Sequence, residues 1–153
     1  MESRKYSAAV RTVWWVYTVL LFVFVVVKFD GSLAGLRERM TAAPIGPNYN
    51  LRPFYTIRIQ LMFIDRGWAK LNLLGNTVSF LPFGYLLPLA YPRLGSFAKV
   101  FLTGLGSVLL IEVFQFYTRL GSFDVDDVML NMAGIAAGYL LMRSAGRAFP
   151  KKK

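Results

Sequence analysis

Two stretches decide the fold: "NLLGNTVSFLPFGYLLPLAY", Asn72–Tyr91, and "LLIEVFQFYTRLGSFDVDDVMLN", Leu109–Asn131. The first is an apolar segment long enough to cross a hydrocarbon core about 30 Å thick, and the second joins the ends of two more such segments, at about Phe97–Tyr117 and Val128–Met142. Each also carries polar groups that a bilayer disfavours. The first contains Asn72, Asn76, Pro82 and Pro88; the second contains Glu112, Gln115 and Arg119. What a membrane helix does with such residues is the question the rest of the chain has to answer.

Outward from these stretches, "VWWVYTVLLFVFVVV", Val13–Val27, runs without a charge, and a fourth apolar block covers Val128–Met142. Apolar residues make up 56% of the 153-residue chain, above the roughly 45–50% of a soluble domain. The pattern predicts one all-α membrane domain over residues 1–153. Its four transmembrane helices are expected at about 12–29, 72–91, 97–118 and 126–143, with a long extracytoplasmic loop between the first two. A cleaved signal peptide would also place Arg4, Lys5 and Arg11 before the first block and "SLAG" after it. The length and aromatic content of the run favour an uncleaved anchor.

The formal charge is +10. In a chain of this kind basic residues flank membrane helices and meet anionic head groups, and no nucleic-acid motif is present, so no nucleic-acid partner is expected. There is no Cys and no His. Disulfides, thiol nucleophiles and the usual zinc ligands are therefore excluded, as is the commonest acid–base side chain at neutral pH. No cofactor or metal is expected.

Short loops set the orientation. Arg4, Lys5 and Arg11 precede the first span; Arg93 and Lys99 lie between the second and third; Arg143, Arg147 and three lysines end the chain. The loop between the third and fourth spans has Arg119 against Asp124, Asp126 and Asp127. The positive-inside rule puts both termini in the cytoplasm and the acidic loop outside. Arg37, Arg39, Arg52, Arg58, Arg66 and Lys70 then fall in the long outer loop, where the rule carries less weight.

In this frame the polar residues gather at one end. Asn72 and Asn76 are four apart and share a helix face. Glu112, Gln115 and Arg119 share another, and Asp124, Asp127 and Asn131 a third, with Asp126 rotated about 100° away. Glu112 lies about 10 Å deeper than Arg119, where a carboxylate costs about 2.5–3.5 kcal/mol unless paired, protonated or hydrated. Each residue also has a structural reading. Asn and Gln join helices, Arg119 can neutralise a carboxylate, and Asp124 in "SFDVDD" suits a helix N-cap. Taken together they point to a ligand-binding cavity. "GIAAG", Gly134–Gly138, reads as a close-packing face, as do Gly104, Gly106 and Ser107. Pro82 and Pro88 are expected to kink the second span. "LAGLRERM", Leu33–Met40, suits an interfacial helix. "TIRIQLMFI", Thr56–Ile64, alternates briefly like a strand, but Met62 breaks the pattern and interfacial helix and coil are expected.

The motifs "NLRPFYTI", "NLLGNTVSFLPFGYLLP" and "EVFQFYTRLGSFDVDDVMLNMAGIAAGY" resemble, in this order, those of the VanZ-like family, named after a teicoplanin-resistance protein. The resemblance covers roughly Asn50–Tyr139 and the preceding anchor. It rests on Asn50, Pro53, Phe54, Asn72, Gly75 and Asn76, then Phe80, Pro82 and Gly84. Further on it includes Glu112, Gln115, Arg119, Asp124, Asp127, Asn131 and Gly134. Arg52 stands where the family more often has an apolar residue.

The resemblance implies a small protein of the bacterial cytoplasmic membrane, with some relatives linked to low-level glycopeptide resistance. It supplies no mechanism. Two functions follow. In the first, Asn50, Asn72, Asn76, Gln115, Arg119, Asp124 and Asn131 bind an amphiphile, with Arg119 suited to a phosphate or carboxylate. Membrane lipids, a lipid-linked cell-wall intermediate or a lipoglycopeptide would be the partner. In the second, Glu112 and Asp127 are catalytic carboxylates of an enzyme on a lipid-linked substrate, and Asp124 and Asp127 hold Mg²⁺ or position a nucleophile. Oligomeric state is not legible.

Overall fold

A computed structural model describes residues 2–27, 37–38, 41 and 48–148. The helix α1, Glu2–Leu21, continues into a π-helical turn, Phe22–Val27. After the short strand β1, Tyr49–Asn50, come α2, Tyr55–Met62, and α3, Gly67–Ala90. A 3₁₀ turn, Pro92–Leu94, leads to α4, Phe97–Thr118; the strand β2, Phe123–Asp124, then feeds α5, Val125–Ala148. The expected interfacial segment Leu33–Met40 lies mostly outside the described residues.

Three helical stretches are long and apolar enough to cross a membrane: Gly67–Ala90, Phe97–Thr118 and Val125–Ala145. The apolar part of the first helix, Ala8–Phe24, is shorter. The second apolar helix starts at Gly67 rather than near Asn72. Trp68 and Lys70 in its first turns are of the amphipathic kind that sits at a membrane surface. Thr56–Met62, which alternates in sequence, is helical. Large apolar side chains cover the outside. Leu102, Leu110 and Tyr117 on α4 are 66%, 73% and 78% exposed, which in water would be an aggregation surface and in a bilayer is ordinary.

Lipid tails are as apolar as leucine, so apolarity alone does not drive helices together inside a membrane; close van der Waals packing does. That packing is most intimate between α3 and α5. A Cβ on Gly84 would run into the Ile135 carbonyl oxygen, one on Gly134 into that of Thr77, and one on Gly138 into that of Leu81. The small-residue face expected at Gly134–Gly138 is therefore a backbone-to-backbone seam. Gly104 on α4 likewise lies against the Ile135 side chain, whereas Gly106 has open space around it and plays no such part. Phe80, Val100, Val108 and Ile135 fill the centre.

Helix α1 lies along α3. Trp14 meets Phe83 edge-on at 5.0 Å. Arg11 Nε donates to the Ala90 carbonyl at 3.3 Å, with the guanidinium 5.7 Å from the Tyr91 ring centre. The Tyr17 hydroxyl donates to the Ser79 carbonyl at 2.7 Å. This contact falls about one turn before Pro82 and adds a cross-helix bond to the backbone of α3. Helix α3 runs unbroken through Pro82 and Pro88.

Candidate functional site

The polar residues meet at the end of the bundle where α3 begins, α4 ends and α5 begins. Two residues of β1 pair in parallel with β2, Tyr49 beside Phe123 and Asn50 beside Asp124. This small bridge brings "NLRPF" and "SFDVDD" together across the span of α2, α3 and α4.

Asp124 is the N-cap of α5. Its Oδ1 accepts from the Asp126 backbone N–H at 2.9 Å, as a capping carboxylate does. The same oxygen accepts from Asn50 Nδ2 at 3.2 Å, and Oδ2 accepts from the Thr56 hydroxyl at 2.5 Å. Asn50 also donates to Thr56 Oγ1 at 3.0 Å and accepts from the Arg52 N–H at 3.1 Å. Asp124 thus precedes the helix instead of sharing a helical face with Asp127 and Asn131.

Asp126, set aside in sequence as rotated away, is fully buried at 0% exposure. Its Oδ1 accepts from Phe54 N–H at 2.6 Å; its Oδ2 accepts from Thr56 and Ile57 N–H at 2.7 and 3.1 Å. These donors stand at the start of α2, where helix geometry leaves N–H groups without partners and the dipole favours negative charge. Phe54, at φ 63°, provides no side-chain cap of its own, so a carboxylate from another helix does the capping. The rotation that takes Asp126 off the face of Asp127 turns it onto α2.

Glu112 is 2% exposed, and its Oε2 accepts from the Asp124 backbone N–H at 3.1 Å. Gln115 is buried under the following turn; a Cβ at Gly121 would stand 3.2 Å from its Cδ. Arg119 ends α4 in the left-handed region at φ 61°, and its side chain is exposed.

Beside this junction is a cavity of about 320 Å³. Asn72 and Asn76 line it from α3 and Asp127 from α5. Asn76 Nδ2 donates to Asp127 Oδ1 at 2.5 Å. Asp124 and Ser122 line it from the turn, and Thr56 and Gln60 from α2. Asn76 and Asp127 thus meet in its wall. Glu112, Gln115, Arg119 and Asn131 are not among the lining residues, and Asn50 reaches the wall only through Thr56 and Asp124. Asn131 is 1% exposed, and neither polar atom of its side chain has a hydrogen-bond partner. Among the described residues no three carboxylates group as metal ligands.

Gln60 was missed in sequence. It is 2% exposed, it lines the cavity, and its Oε1 has no hydrogen-bond partner. The signal was the spacing: Thr56 and Gln60, four apart, share a face once the segment is helical. The cavity is therefore a polar chamber at one end of an apolar bundle, with two carboxylates and an open amide oxygen in its wall.

Comparison with curated proteins and with solved structures gave no match. The sequence model of the VanZ/LLP1 family matches residues 14–146, from the first apolar helix through most of α5. That span takes in every residue at the junction and the cavity, so the chain, as its motifs led one to expect, belongs to the VanZ/LLP1 family.

Proposed function

We propose that this membrane protein binds the polar head of an amphiphile in the chamber between α2, α3 and α5. In this reading the chain crosses the bacterial cytoplasmic membrane four times, with both termini cytoplasmic and the chamber beside the outer leaflet. The single observation that carries the reading is Gln60 Oε1, a buried acceptor without a partner in the wall of a polar cavity. A buried unsatisfied acceptor costs about 1–3 kcal/mol, and a bound head group offsets that cost. An apolar groove of about 410 Å³ runs between α1, α3 and α4, lined by Leu21, Phe22, Phe83 and Leu110. The turn carrying Phe22 also carries Phe24, which lines the chamber, so one amphiphile has a seat for its head and a seat for its chain. A lipid-linked cell-wall intermediate and an acylated glycopeptide such as teicoplanin both have this build.

Binding is favoured over catalysis by the position of the carboxylates. Glu112 lies off the chamber on the Asp124 N–H, and both Asp124 oxygens already accept hydrogen bonds. Asp127, the other carboxylate in the wall, accepts from Asn76 Nδ2.

Native mass spectrometry of protein extracted in mild detergent tests the reading. One amphiphile per chain is expected to co-purify; a chain that never retains one counts against it. Orientation is tested separately with single cysteines, for which the native chain gives no background. Cys at Ser122 is expected to react with an impermeant thiol reagent on whole cells and Cys at Ser96 to stay unlabelled. The reverse pattern would move the chamber to the cytoplasmic side.

A further inference from the structure

The end of the bundle opposite the chamber has a second cavity, of about 480 Å³, lined by Arg11, Tyr91, Pro92 and Arg93. It lies where α3 ends, about 22 Å along the helix axis from Asn76. One wall comes from α1. Arg11 shares a helix face with Trp14, three residues on. Trp14 is buried and stands edge-on to the Tyr91 ring at 6.4 Å. The other wall is the 3₁₀ turn. Its Leu94 N–H donates to the Tyr91 carbonyl at 2.8 Å, and Lys99 Nζ donates to the Arg93 carbonyl at 2.9 Å.

Arg11 has one structural duty. Nε on the Ala90 carbonyl sets a cation at the C-terminus of α3, where the helix dipole favours it. That bond uses one of five guanidinium N–H donors. With the Tyr91 ring 5.7 Å away, the guanidinium is held in place and its terminal nitrogens are left for other acceptors. Arg93 is positioned through its carbonyl, and its exposed side chain lines the same cavity. Two guanidiniums on one cavity repel each other, and Lys99 adds a third charge nearby. Carboxylates do little to offset them. Across residues 2–17, 79–107 and 132–148, which build this end, the one acid is Glu2, about 13 Å from Arg11 along α1. A phosphate is the complement of such a cavity: it is made of acceptors, carries negative charge and matches the guanidinium fork.

We propose that Arg11 and Arg93 bind a phosphate at this end of the bundle, in a site distinct from the chamber and needing no occupant there. The phosphate comes either from the head group of an anionic phospholipid or from a soluble phosphate ester.

The test is competitive native mass spectrometry of the full chain in detergent micelles holding equal amounts of phosphatidylglycerol and phosphatidylcholine with matched acyl chains. Phosphatidylcholine carries the same phosphate beside a cation, which the two arginines repel. Phosphatidylglycerol is expected to bind about tenfold more tightly, a difference of about 1.4 kcal/mol. Arg11→Gln and Arg93→Gln are each expected to cut that preference to about twofold or less, a residual difference of about 0.4 kcal/mol. Arg143 is the control. It follows Tyr139, whose hydroxyl donates to the Gly95 carbonyl at 3.2 Å, by one turn, so it stands at the same end but outside the cavity lining. Arg143→Gln is expected to leave the preference as in the parent. Thermal unfolding of each variant is measured alongside, and if Arg11→Gln fails to fold, Arg93→Gln decides alone. Loss of the phosphatidylglycerol adduct on addition of soluble glycerol phosphate points to a free ester as ligand; its persistence points to the lipid. Equal binding of the two lipids, or a preference that survives both cavity substitutions, overturns the proposal. So does a preference that Arg143→Gln lowers as much as they do, which would reduce the site to a diffuse basic surface.

Discussion

Asp126 and Asp127 are neighbours in sequence and stand in opposite surroundings. The junction region, built on Asp124 and Asp126, saturates its carboxylates with backbone and side-chain donors from β1 and α2. The chamber wall one residue later holds Asp127 beside Asn76, and Gln60, whose Oε1 has no hydrogen-bond partner, lines the same cavity. Both regions put polar groups at the edge of an apolar bundle. In the first the protein itself provides the partners, and the polar groups act as fasteners. In the second a polar atom is left without one, and the region is suited to something that arrives from outside. Residue type does not distinguish the two; the location of the donors does.

The largest effect is expected from Asp126→Asn. One carboxylate oxygen becomes an NH₂ facing N–H groups at the start of α2, and hydrogen bonds to a charged acceptor are lost. Hydrogen bonds to charged groups contribute about 1.5–3 kcal/mol each, so a loss of about 3 kcal/mol or more in denaturant unfolding from detergent is expected. A loss below about 0.5 kcal/mol would erase the contrast between fastener and wall. Asp124→Ala comes next, at about 2 kcal/mol, from one N-cap and two side-chain bonds. Its signature in hydrogen exchange is fraying of α2 and of the first turn of α5 together, because Asp124 ties both.

Gln60→Leu has the opposite sign. Removing a buried, unpaired acceptor while keeping the volume apolar is neutral or stabilising, by up to about 1 kcal/mol. The same change is expected to weaken amphiphile binding. A variant that gains stability and loses binding is what the wall region requires, and a variant that loses both would return Gln60 to the scaffold. The smallest effect is expected at Gly106→Ala. An alanine Cβ there meets open space, and replacing a mid-helix glycine stabilises by about 0.5–1 kcal/mol. Gly106 lies off the chamber, so amphiphile binding stays as in the parent.

The apolar blocks alone announced α3, α4 and most of α5, because membrane spans are marked by length and apolarity, both readable along one dimension. The family motifs and the close-packing glycines of α5 were legible for the same reason: spacing on a helix fixes the face. Asp126 was misjudged because a helical wheel tells which residues share a side but not what packs against each side. Its partner, α2, comes from the segment between the first two spans, whose Thr56–Ile64 pattern alternated like a strand and concealed the Thr56–Gln60 face. Glu112 was singled out as a buried carboxylate, and it is one. That its oxygen meets the Asp124 backbone depends on how the chain turns at Gly121, which residue types do not disclose.

The glycine seam has a consequence for how the protein is made. Gly84 on α3 rests against the Ile135 carbonyl, and Gly138 against that of Leu81, so each half of the seam waits for residues about 50 positions away. At about 5–20 residues per second of synthesis, α3 spends several seconds in the membrane with its glycine face turned to lipid before α5 exists. During that interval α1 is the neighbour already present, and its contacts at Phe83, Ser79 and Ala90 lie along the same helix as Gly84. The contacts with α1 are therefore ones that α3 can make early, and the glycine seam is one that it can make only after α5 has followed.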